Sequence, residues 1–397
     1  MREEIGLKIE NIAKLLLLKG RLKGNYGLLS GTSGISLFLS EYSKVCGNEK
    51  YQIAAKSFIE DAMDDVFNDA RPLHTYCGGI SGMIYLLSNF EKNNTFEYEI
   101  SNDVYEYLYS FLKIEIDNKH YDFLHGALGI MFCFITRPQN AFANKVITKT
   151  LDFLNSSVII DNTKKTAKWT NKDIKNREEY NISLSHGMSS IVMILLKIYQ
   201  NIDFNKKYEV KQLIEKAINY ILMQEIDHDK YGSFFPYIAI ESSESLSKSR
   251  LAWCYGDLGI ATTLYQAGIT FDRQDWVTKS LEIFRFAAVW RRDLEGNMVN
   301  DACLCHGSSG IGHIFYRMWY NTKISEFKEA ADYWFEKTLE LATFEDGLEG
   351  YKIWNSITQS YEIGYGLLEG VAGIGLAMLS YCYECEPFWD ECLLLSL

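Results

Sequence analysis

The stretch Leu304-Cys305-His306-Gly307-Ser308-Ser309-Gly310-Ile311 joins a thiol and an imidazole to a Gly-x-x-Gly turn that opens an apolar segment. The turn recurs along the whole chain. Its seven copies align on Gly31, Gly79, Gly126, Gly187, Gly256, Gly307 and Gly370. Successive copies lie 47 to 69 residues apart (126 minus 79 and 256 minus 187). A repeat of this size indicates one supersecondary unit that is used seven times.

The turns separate two kinds of helical pattern. Each turn is followed by an almost wholly apolar segment, such as residues 35–39 or 374–379, and such a segment predicts a helix buried on every side. Amphipathic segments lie between the turns; after Val210, for example, apolar residues recur at i, i+3 and i+4. Seven such helix pairs that close on themselves predict an all-α fold, a double-layered α/α toroid, as one domain over residues 1–397.

Two stretches lack this alternation of buried and amphipathic segments, which predicts short irregular or β insertions. Residues 155–183 are polar and rich in Lys and Asn, which predicts a surface loop or a small insertion. Residues 227–250 alternate aromatic residues and then become Ser-rich, which predicts a short hairpin or a lid. Either insertion could contact a substrate.

Composition excludes several classes of function. The net charge of −12 and the sequence pI of about 5.2 argue against nucleic-acid and anionic-membrane partners. No apolar run is long enough for a transmembrane helix, and the charged start predicts no secretion signal. Nine cysteines without such a signal indicate reduced thiols in a cytoplasmic protein that is not an integral membrane protein.

The residues just before each turn occupy equivalent positions, or registers, in the repeat. Because each turn begins a buried helix, these residues are expected to gather at one rim of the toroid. Three of the seven histidines share the position before the first glycine, and three of the nine cysteines share the position before that. These residues are His125, His186 and His306, and Cys77, Cys254 and Cys305. The pattern predicts a site built on helix N-termini.

Cys254, Cys305 and His306 are the predicted ligands of one Zn²⁺ per chain. Two cysteines and one histidine with an open fourth position are typical of a catalytic zinc site. A thiol that binds such a zinc loses its proton and stays nucleophilic, which predicts attack by a substrate thiolate. Cys77 and Cys303 are interpreted as ordinary core thiols, although either could supply a fourth ligand.

Three motifs carry a family resemblance: SLSHG at residues 183–187, R-x-x-WCYG at residues 250–256 and CHGSSG at residues 305–310. On seven Gly-x-x-Gly repeats, they resemble the lanthionine synthetase C family, the lantibiotic cyclases, over residues 31–375. Members of that family are α/α toroids with a central zinc. They add cysteine thiols of a dehydrated precursor peptide to dehydroalanine or dehydrobutyrine, which closes thioether rings.

The resemblance also implies roles for individual residues. Cys254, Cys305 and His306 would be the zinc ligands. His186 would be the acid/base, Asp122 in the motif YDFLHG would orient it, and Arg250 and Tyr255 would be the remaining polar residues of the site. These roles suit the chemistry, since an imidazole can protonate the enolate left by Michael addition and a cation can offset its developing charge.

Simpler interpretations stay open for several of these residues. Asp122 could cap the helix that begins near His125, Arg250 could form a surface ion pair, and Tyr255 could serve packing alone. His125 has the register of a site residue but no family role, and we interpret it as a weak substrate contact. Ser190 replaces the second glycine of the fourth turn, which predicts looser packing where His186 is placed.

The family also implies partners. The substrate would be a dehydrated precursor peptide with its leader and core, and a dehydratase and an export transporter would accompany the enzyme in a complex at the membrane. Three alternatives remain at this stage. They are a LanC-like protein that binds or adds glutathione, a zinc-free toroid glycosidase using Asp122, Asp257 and Glu369, and a peptide-binding scaffold whose structural zinc takes Cys77 or Cys303 as fourth ligand.

Overall fold

The computed structural model describes residues 1–136, 141–172, 178–201, 204–243 and 245–396. These residues fall into two compact units. The first comprises Met1–Tyr98 and Ala288–Trp389, and the second comprises Glu99–Ala287 and Asp390–Leu397.

The first unit is built around buried helices paired with amphipathic ones. Its helices are α1 (Arg2–Lys19), α2 (Thr32–Cys46), α3 (Glu49–Asn68), α4 (Ile80–Lys92), α13 (Ser308–Thr322), α14 (Ser325–Glu340) and α15 (Val371–Tyr383). A hairpin of β5 (Ile353–Asn355) and β6 (Ser360–Glu362) precedes α15. Helix α15 is buried along most of its length and packs on α1, α2 and α13.

The second unit repeats the same alternation. Its helices are α5 (Asn102–Asp117), α6 (Ala127–Ile135), α7 (Ala141–Ser157), α8 (Met188–Asn201), α9 (Phe204–Leu222), α10 (His228–Tyr231), α11 (Asp257–Phe271) and α12 (Gln274–Trp290). The apolar helix α8 packs on α6, α9 and α11. In chain order, amphipathic and buried helices therefore alternate as seven pairs within the described residues, with the single turn α10 as an addition.

The repeated glycines mark where buried helices begin. Six of them are the N-cap residues of α2, α4, α6, α11, α13 and α15, and α8 begins at the residue after Gly187. Gly256 supplies conformational freedom that other residues lack, because its φ is +91°, a value that residues with a side chain rarely adopt. Gly373 needs its small size because a Cβ there would lie 1.8 Å from the carbonyl oxygen of Leu367.

The insertion at residues 155–183 carries two short hairpins after the end of α7. Strand β1 (Ile159–Asp161) pairs antiparallel with β2 (Thr166–Lys168), and β3 (Asn171–Lys172) pairs with β4 (Glu178–Glu179). Residues 173–177 of this insertion lie outside the described residues. The β2 strand packs on α9.

The described residues of the insertion at 227–250 are irregular and do not form the hairpin, one of the two predicted alternatives. Its described residues contain α10 and a 3-10 turn at Ile240–Ser242 but no strand. The carboxylate of Asp257 explains this path, because it accepts the backbone N–H groups of Phe234 and Phe235 at 3.1 and 3.0 Å. Those two N–H groups are therefore engaged by a side chain instead of a strand ladder.

Candidate functional site

Two of the predicted metal ligands lie on the loop before α13, in the first unit. Cys305 is buried, and its backbone N–H donates to the carbonyl of Leu368 at 3.0 Å. The side chain of His306 is 12% exposed. Gly307 allows the tight turn between these residues and the helix, because a Cβ there would lie 2.2 Å from the backbone nitrogen of Cys303. The loop thus holds a thiol and an imidazole at a helix N-terminus.

The His306 imidazole lies between two carboxylates. Its Nε2 is 3.5 Å from Oδ2 of Asp301, and its Nδ1 is 3.9 Å from Oε1 of Glu369. The Asp301 side chain is fully buried, whereas that of Glu369 is 55% exposed. A histidine that binds a metal usually directs its other ring N–H to a carboxylate, and Asp301 is placed to be that partner.

Asp301 is a site residue that the sequence reasoning missed. Its Oδ1 accepts the backbone N–H of Cys303 at 2.9 Å, and its Oδ2 accepts that of Trp354 at 2.7 Å. Burial alone would raise the pKa of this carboxyl, but His306 and the two N–H donors hold the pKa below its usual value. The repeat could have revealed this residue. Asn181 lies six residues before Gly187, as Asp301 does before Gly307, and its side chain also accepts the backbone N–H of the residue two positions later.

The second unit contains the paired carboxylate and imidazole. Oδ2 of Asp122 lies 2.6 Å from Nδ1 of His186, and its Oδ1 accepts the backbone N–H of His125 at 2.8 Å. Asp122 therefore accepts an N–H within the loop before α6 and contacts His186, but it does not cap the helix, whose N-cap is Gly126. The side chains of Asp122 and His186 are 7% and 26% exposed.

The Asp122–His186 pair favours its charged form. Burial opposes the charge on both groups, but their mutual attraction and hydrogen bond outweigh it. The net pKa of Asp122 is lowered and that of His186 is raised. His125 differs, because burial and the neighbouring imidazoles lower its pKa despite the attraction of Asp122. The rings of His125 and His186 are 6.1 Å apart.

Tyr255 extends this row of rings. Its ring centroid lies 5.9 Å from that of His186 and 4.2 Å from that of Tyr237, on which it stacks. The amide of Asn181 donates to its hydroxyl at 3.5 Å. Burial raises the pKa of Tyr255, so that the phenol is neutral over the physiological range. Tyr237, which the 227–250 insertion contributes, is a second residue that the sequence reasoning left unassigned.

The remaining predicted residues are Cys254, Arg250, Cys303 and Ser190. Cys254 is buried, and its carbonyl accepts the hydroxyl of Ser185 at 3.0 Å. Arg250 is half-buried at the end of the insertion. Burial raises the pKa of Cys303 to about 11, which keeps it a thiol. Ser190 is buried, and its hydroxyl donates to the carbonyl of Gly187 at 2.7 Å.

Two groups of side chains in the described residues could hold a metal ion. One comprises Cys254, Cys305 and His306, and the other comprises Asp301, Cys303 and His306. The second group suits zinc less well, because its thiol is fully buried with a raised pKa and its carboxylate already accepts two backbone N–H groups. A Cys/His metal site is therefore available in this chain.

Among the described residues, no helix combines the length and the apolar character that crossing a membrane requires. Asp257, one of the carboxylates considered for a glycosidase, is fully buried and is engaged by Phe234 and Phe235. It is therefore a structural residue.

Comparisons with known proteins give the fold. A solved structure described as nisin cyclase aligns with a TM-score of 0.74 at 19% identity, covering 99% of this chain and 98% of that one. This match confirms the predicted all-α fold class, the double-layered α/α toroid. A glycosyl hydrolase family 88 protein from Bacteroides vulgatus aligns over 97% of this chain and 99% of its own, but its TM-score of 0.42 and 10% identity are too low for any inference.

Sequence comparisons give the family. The nisin biosynthesis protein NisC of Lactococcus lactis subsp. lactis is 21% identical over 402 residues, which cover 94% of this chain and 89% of that protein. The sequence profile described as lanthionine synthetase C-like protein matches residues 23–394. The chain belongs to the lanthionine synthetase C-like family.

Proposed function

We propose that this protein is a zinc-dependent lanthionine synthetase. It would add cysteine thiolates of a dehydrated precursor peptide to dehydroalanine or dehydrobutyrine and so form lanthionine and methyllanthionine rings. The observation that carries the proposal is the group of Cys254, Cys305 and His306, two thiols and one imidazole that could hold a metal. Family membership and the names of the relatives, nisin cyclase and NisC, support the same reaction.

The residues present fit zinc. Sulfur and imidazole ligands are those that zinc prefers, and a set of three leaves the fourth position for a substrate. Asp301 lies 3.5 Å from Nε2 of His306 and would hold that N–H, so that Nδ1 would be the atom that binds the metal. When bound, zinc would accept the peptide thiol and favour its thiolate form. Cys254, Cys305 and His306 bind and orient; they do not transfer the proton in this proposal.

His186 would transfer the proton that completes the addition. Michael addition forms the C–S bond and leaves an enolate, whose α-carbon must gain a proton. Asp122 contacts Nδ1 of His186, so that Nε2 would be the atom that donates the proton. Asp122 raises the pKa of His186 above its usual value despite burial, which favours the imidazolium form that donates the proton. The thiol that enters as the nucleophile supplies one proton per ring, so the cycle balances.

Arg250 and Tyr255 would act on the substrate carbonyl and on the geometry of His186. The guanidinium of Arg250 is permanently charged and would stabilise the developing enolate oxygen. Tyr255 is held from one side by the ring of Tyr237 and lies beside His186. It can position the imidazole by contact and can donate a hydrogen bond through its neutral hydroxyl.

The proposal extends to domain organisation, location and partners. We infer that the chain works as a single domain over residues 1–397, in the cytoplasm, with a precursor peptide that supplies leader and core. A dehydratase must precede it, because the reaction consumes dehydrated residues, and an export transporter would follow it. These partners would hold it at the periphery of a membrane-associated complex.

The test is ring closure with a matched pair of thiol variants. Purified protein is incubated with a synthetic peptide that carries one dehydroalanine and one cysteine. Because ring closure does not change the mass, the remaining free thiol is trapped with an alkylating reagent and quantified by mass spectrometry. Wild type and Cys46→Ala, which removes an exposed cysteine, should close the ring, and Cys305→Ala should not. Equal closure by all three proteins, or addition of supplied glutathione to the peptide without ring closure, would refute the proposal.

A further inference from the structure

A cavity of about 360 Å³ in the first unit adjoins the loop that carries Cys305 and His306. One wall includes Leu368, whose carbonyl accepts the backbone N–H of Cys305 at 3.0 Å. The next wall residue is Glu369, whose Oε1 lies 3.9 Å from Nδ1 of His306. Two wall residues of the cavity thus lie next to the proposed zinc ligands Cys305 and His306, which do not themselves line it.

The cavity is held open by close backbone packing. The backbone N–H of Leu368 donates to the carbonyl of Leu29 at 2.8 Å. Gly366 permits this approach, because a Cβ there would lie 2.9 Å from the carbonyl oxygen of Ser30. Ser30 and Asn25 hydrogen-bond to each other at 3.1 and 3.3 Å, which orients the polar side of the wall. These contacts define this part of the cavity wall.

The lining combines apolar side chains with one negatively charged carboxylate. Apolar surface comes from Leu22, Ile363 and Tyr365, and the carboxylate of Glu369 is half exposed. None of the eleven lining residues is a lysine, an arginine or a histidine. Lys and Arg side chains match this pattern, because their methylene stems cover apolar surface while the charged head stays at a polar edge. The ring of Tyr365 adds a surface that attracts cations.

We propose that this cavity binds the cationic side chain, lysine or arginine, of the peptide residue next to the reacting cysteine. The inference rests on the proposed function, which brings a peptide cysteine to Cys305 and His306. Consecutive Cα atoms are about 3.8 Å apart, so a residue adjacent to that cysteine reaches the cavity beside them. Glu369 would then be a residue that determines substrate specificity.

The test separates binding from ring closure. The probes are fluorescent peptides with one cysteine, alanine in place of the dehydrated residue, and Lys, Gln or Glu at both positions that flank the cysteine. Dissociation constants are measured by anisotropy with zinc-loaded protein. We expect the Lys peptide to bind wild type about fivefold more tightly than the Gln peptide, and this preference to weaken with salt. Glu369→Gln should abolish the preference, and Glu369→Lys should reverse it in favour of the Glu peptide.

Two controls make the outcome specific. Glu345→Gln removes an exposed carboxylate of the same unit outside the cavity, and it should keep the wild-type preference. Zinc content is measured for every variant. Equal dissociation constants for the three peptides on wild type would overturn the inference. A preference that disappears only together with the zinc would also overturn it, because Glu369 would then act through the metal site.

The corresponding peptides with dehydroalanine distinguish the inference from the proposed function. Ring closure of all three peptides at one rate, with equal dissociation constants, would refute the cavity assignment and leave the cyclase standing. Failure to close any ring, with the Lys preference and its loss in Glu369→Gln intact, would refute the cyclase and support the cavity as a site for cationic side chains.

Discussion

The Nδ1 atom of His186 lies 2.6 Å from Oδ2 of Asp122, and both groups favour their charged forms despite their burial. The second oxygen of the carboxylate is held by the backbone N–H of His125, which fixes the direction from which Asp122 approaches the ring. A carboxylate fixed in this way sets the tautomer of a histidine and stabilises its cation. The pair has the properties that proton delivery to an enolate requires.

The first prediction concerns the rate of ring closure. Asp122→Asn should lower kcat/KM by about 10²–10³-fold, because the amide neither fixes the Nδ1–H tautomer nor stabilises the imidazolium. Because the pKa of His186 is raised by Asp122, its loss should also move the alkaline fall of the rate to lower pH. The measurement is the pH–rate profile of both proteins.

Asp117→Asn serves as the control for this prediction, since it removes an exposed carboxylate at the end of α5 in the same unit. It should leave the rate and the profile unchanged. If the rate of Asp122→Asn fell at the same alkaline pH as that of wild type, the carboxylate would not raise the pKa of His186.

A second prediction concerns stability. The pKa of His186 is raised above 6.5, so its contribution is complete below pH 6.5 and is lost as the pH rises through the folded-state pKa. The pKa of Asp122 is lowered below 3.8, so its contribution is complete above pH 3.8 and is lost as the pH falls through the folded-state pKa. The coupling between them should therefore be largest between these two limits, at about 2 kcal/mol.

Urea denaturation of wild type, Asp122→Asn, His186→Gln and the double variant yields this coupling free energy as a double-mutant cycle. It should be present at pH 5.5 and much smaller at pH 9. A coupling energy that is equal at the two pH values would mean that the pair is not charged in the folded protein.

A third prediction concerns Asp301. Asp301→Asn should weaken zinc binding by about 10- to 100-fold, because His306 would lose the carboxylate that orients its ring. Competition with a chromophoric chelator measures the affinity. Asp64→Asn, an exposed change on α3, should bind zinc as wild type does. Unchanged zinc affinity in Asp301→Asn would mean that Asp301 does not orient His306 for metal binding.

A fourth prediction tests the close packing at the helix starts. Gly373→Ala should lower the free energy of unfolding by about 2–3 kcal/mol, because its Cβ would lie 1.8 Å from the carbonyl oxygen of Leu367 and 2.7 Å from Cδ1 of Leu304. Gly6→Ala in α1 is the matched change in an open place, where the nearest heavy atom would be 3.9 Å away. It should raise the free energy of unfolding by about 0.5–1 kcal/mol. Chemical denaturation compares them, and similar effects of the two changes would contradict the packing argument.

The helix pairs were predictable because one pattern is repeated seven times. A glycine that begins a buried helix leaves a local signal, and the structure confirms it at Gly31, Gly256 and Gly370. The repeat also supplied the registers of Cys254, Cys305 and His306. Residues that share a register in a repeat protein are brought to equivalent positions, so their proximity follows without knowledge of side-chain packing.

Other parts of the structure depend on single tertiary contacts that leave no pattern in the sequence. The path of residues 227–250 is set by Asp257, which takes up the N–H groups of Phe234 and Phe235, and it brings Tyr237 onto Tyr255. The β5–β6 hairpin was also not predicted. Its strands are three residues each, too short for an alternating signal, and the N–H of Trp354 is satisfied by Asp301 from another loop.

The most direct test of the central claim is the metal content of purified wild type, Cys305→Ala and the exposed-thiol control Cys46→Ala. Mass spectrometry of the metal would be combined with cobalt substitution, whose absorption reports the number of sulfur ligands and the uptake of an added thiol. The account predicts about one zinc in wild type and the control, its loss in Cys305→Ala, and a further sulfur ligand when thiol is added. Zinc retained in Cys305→Ala, or a well-folded wild type that binds none, would contradict it.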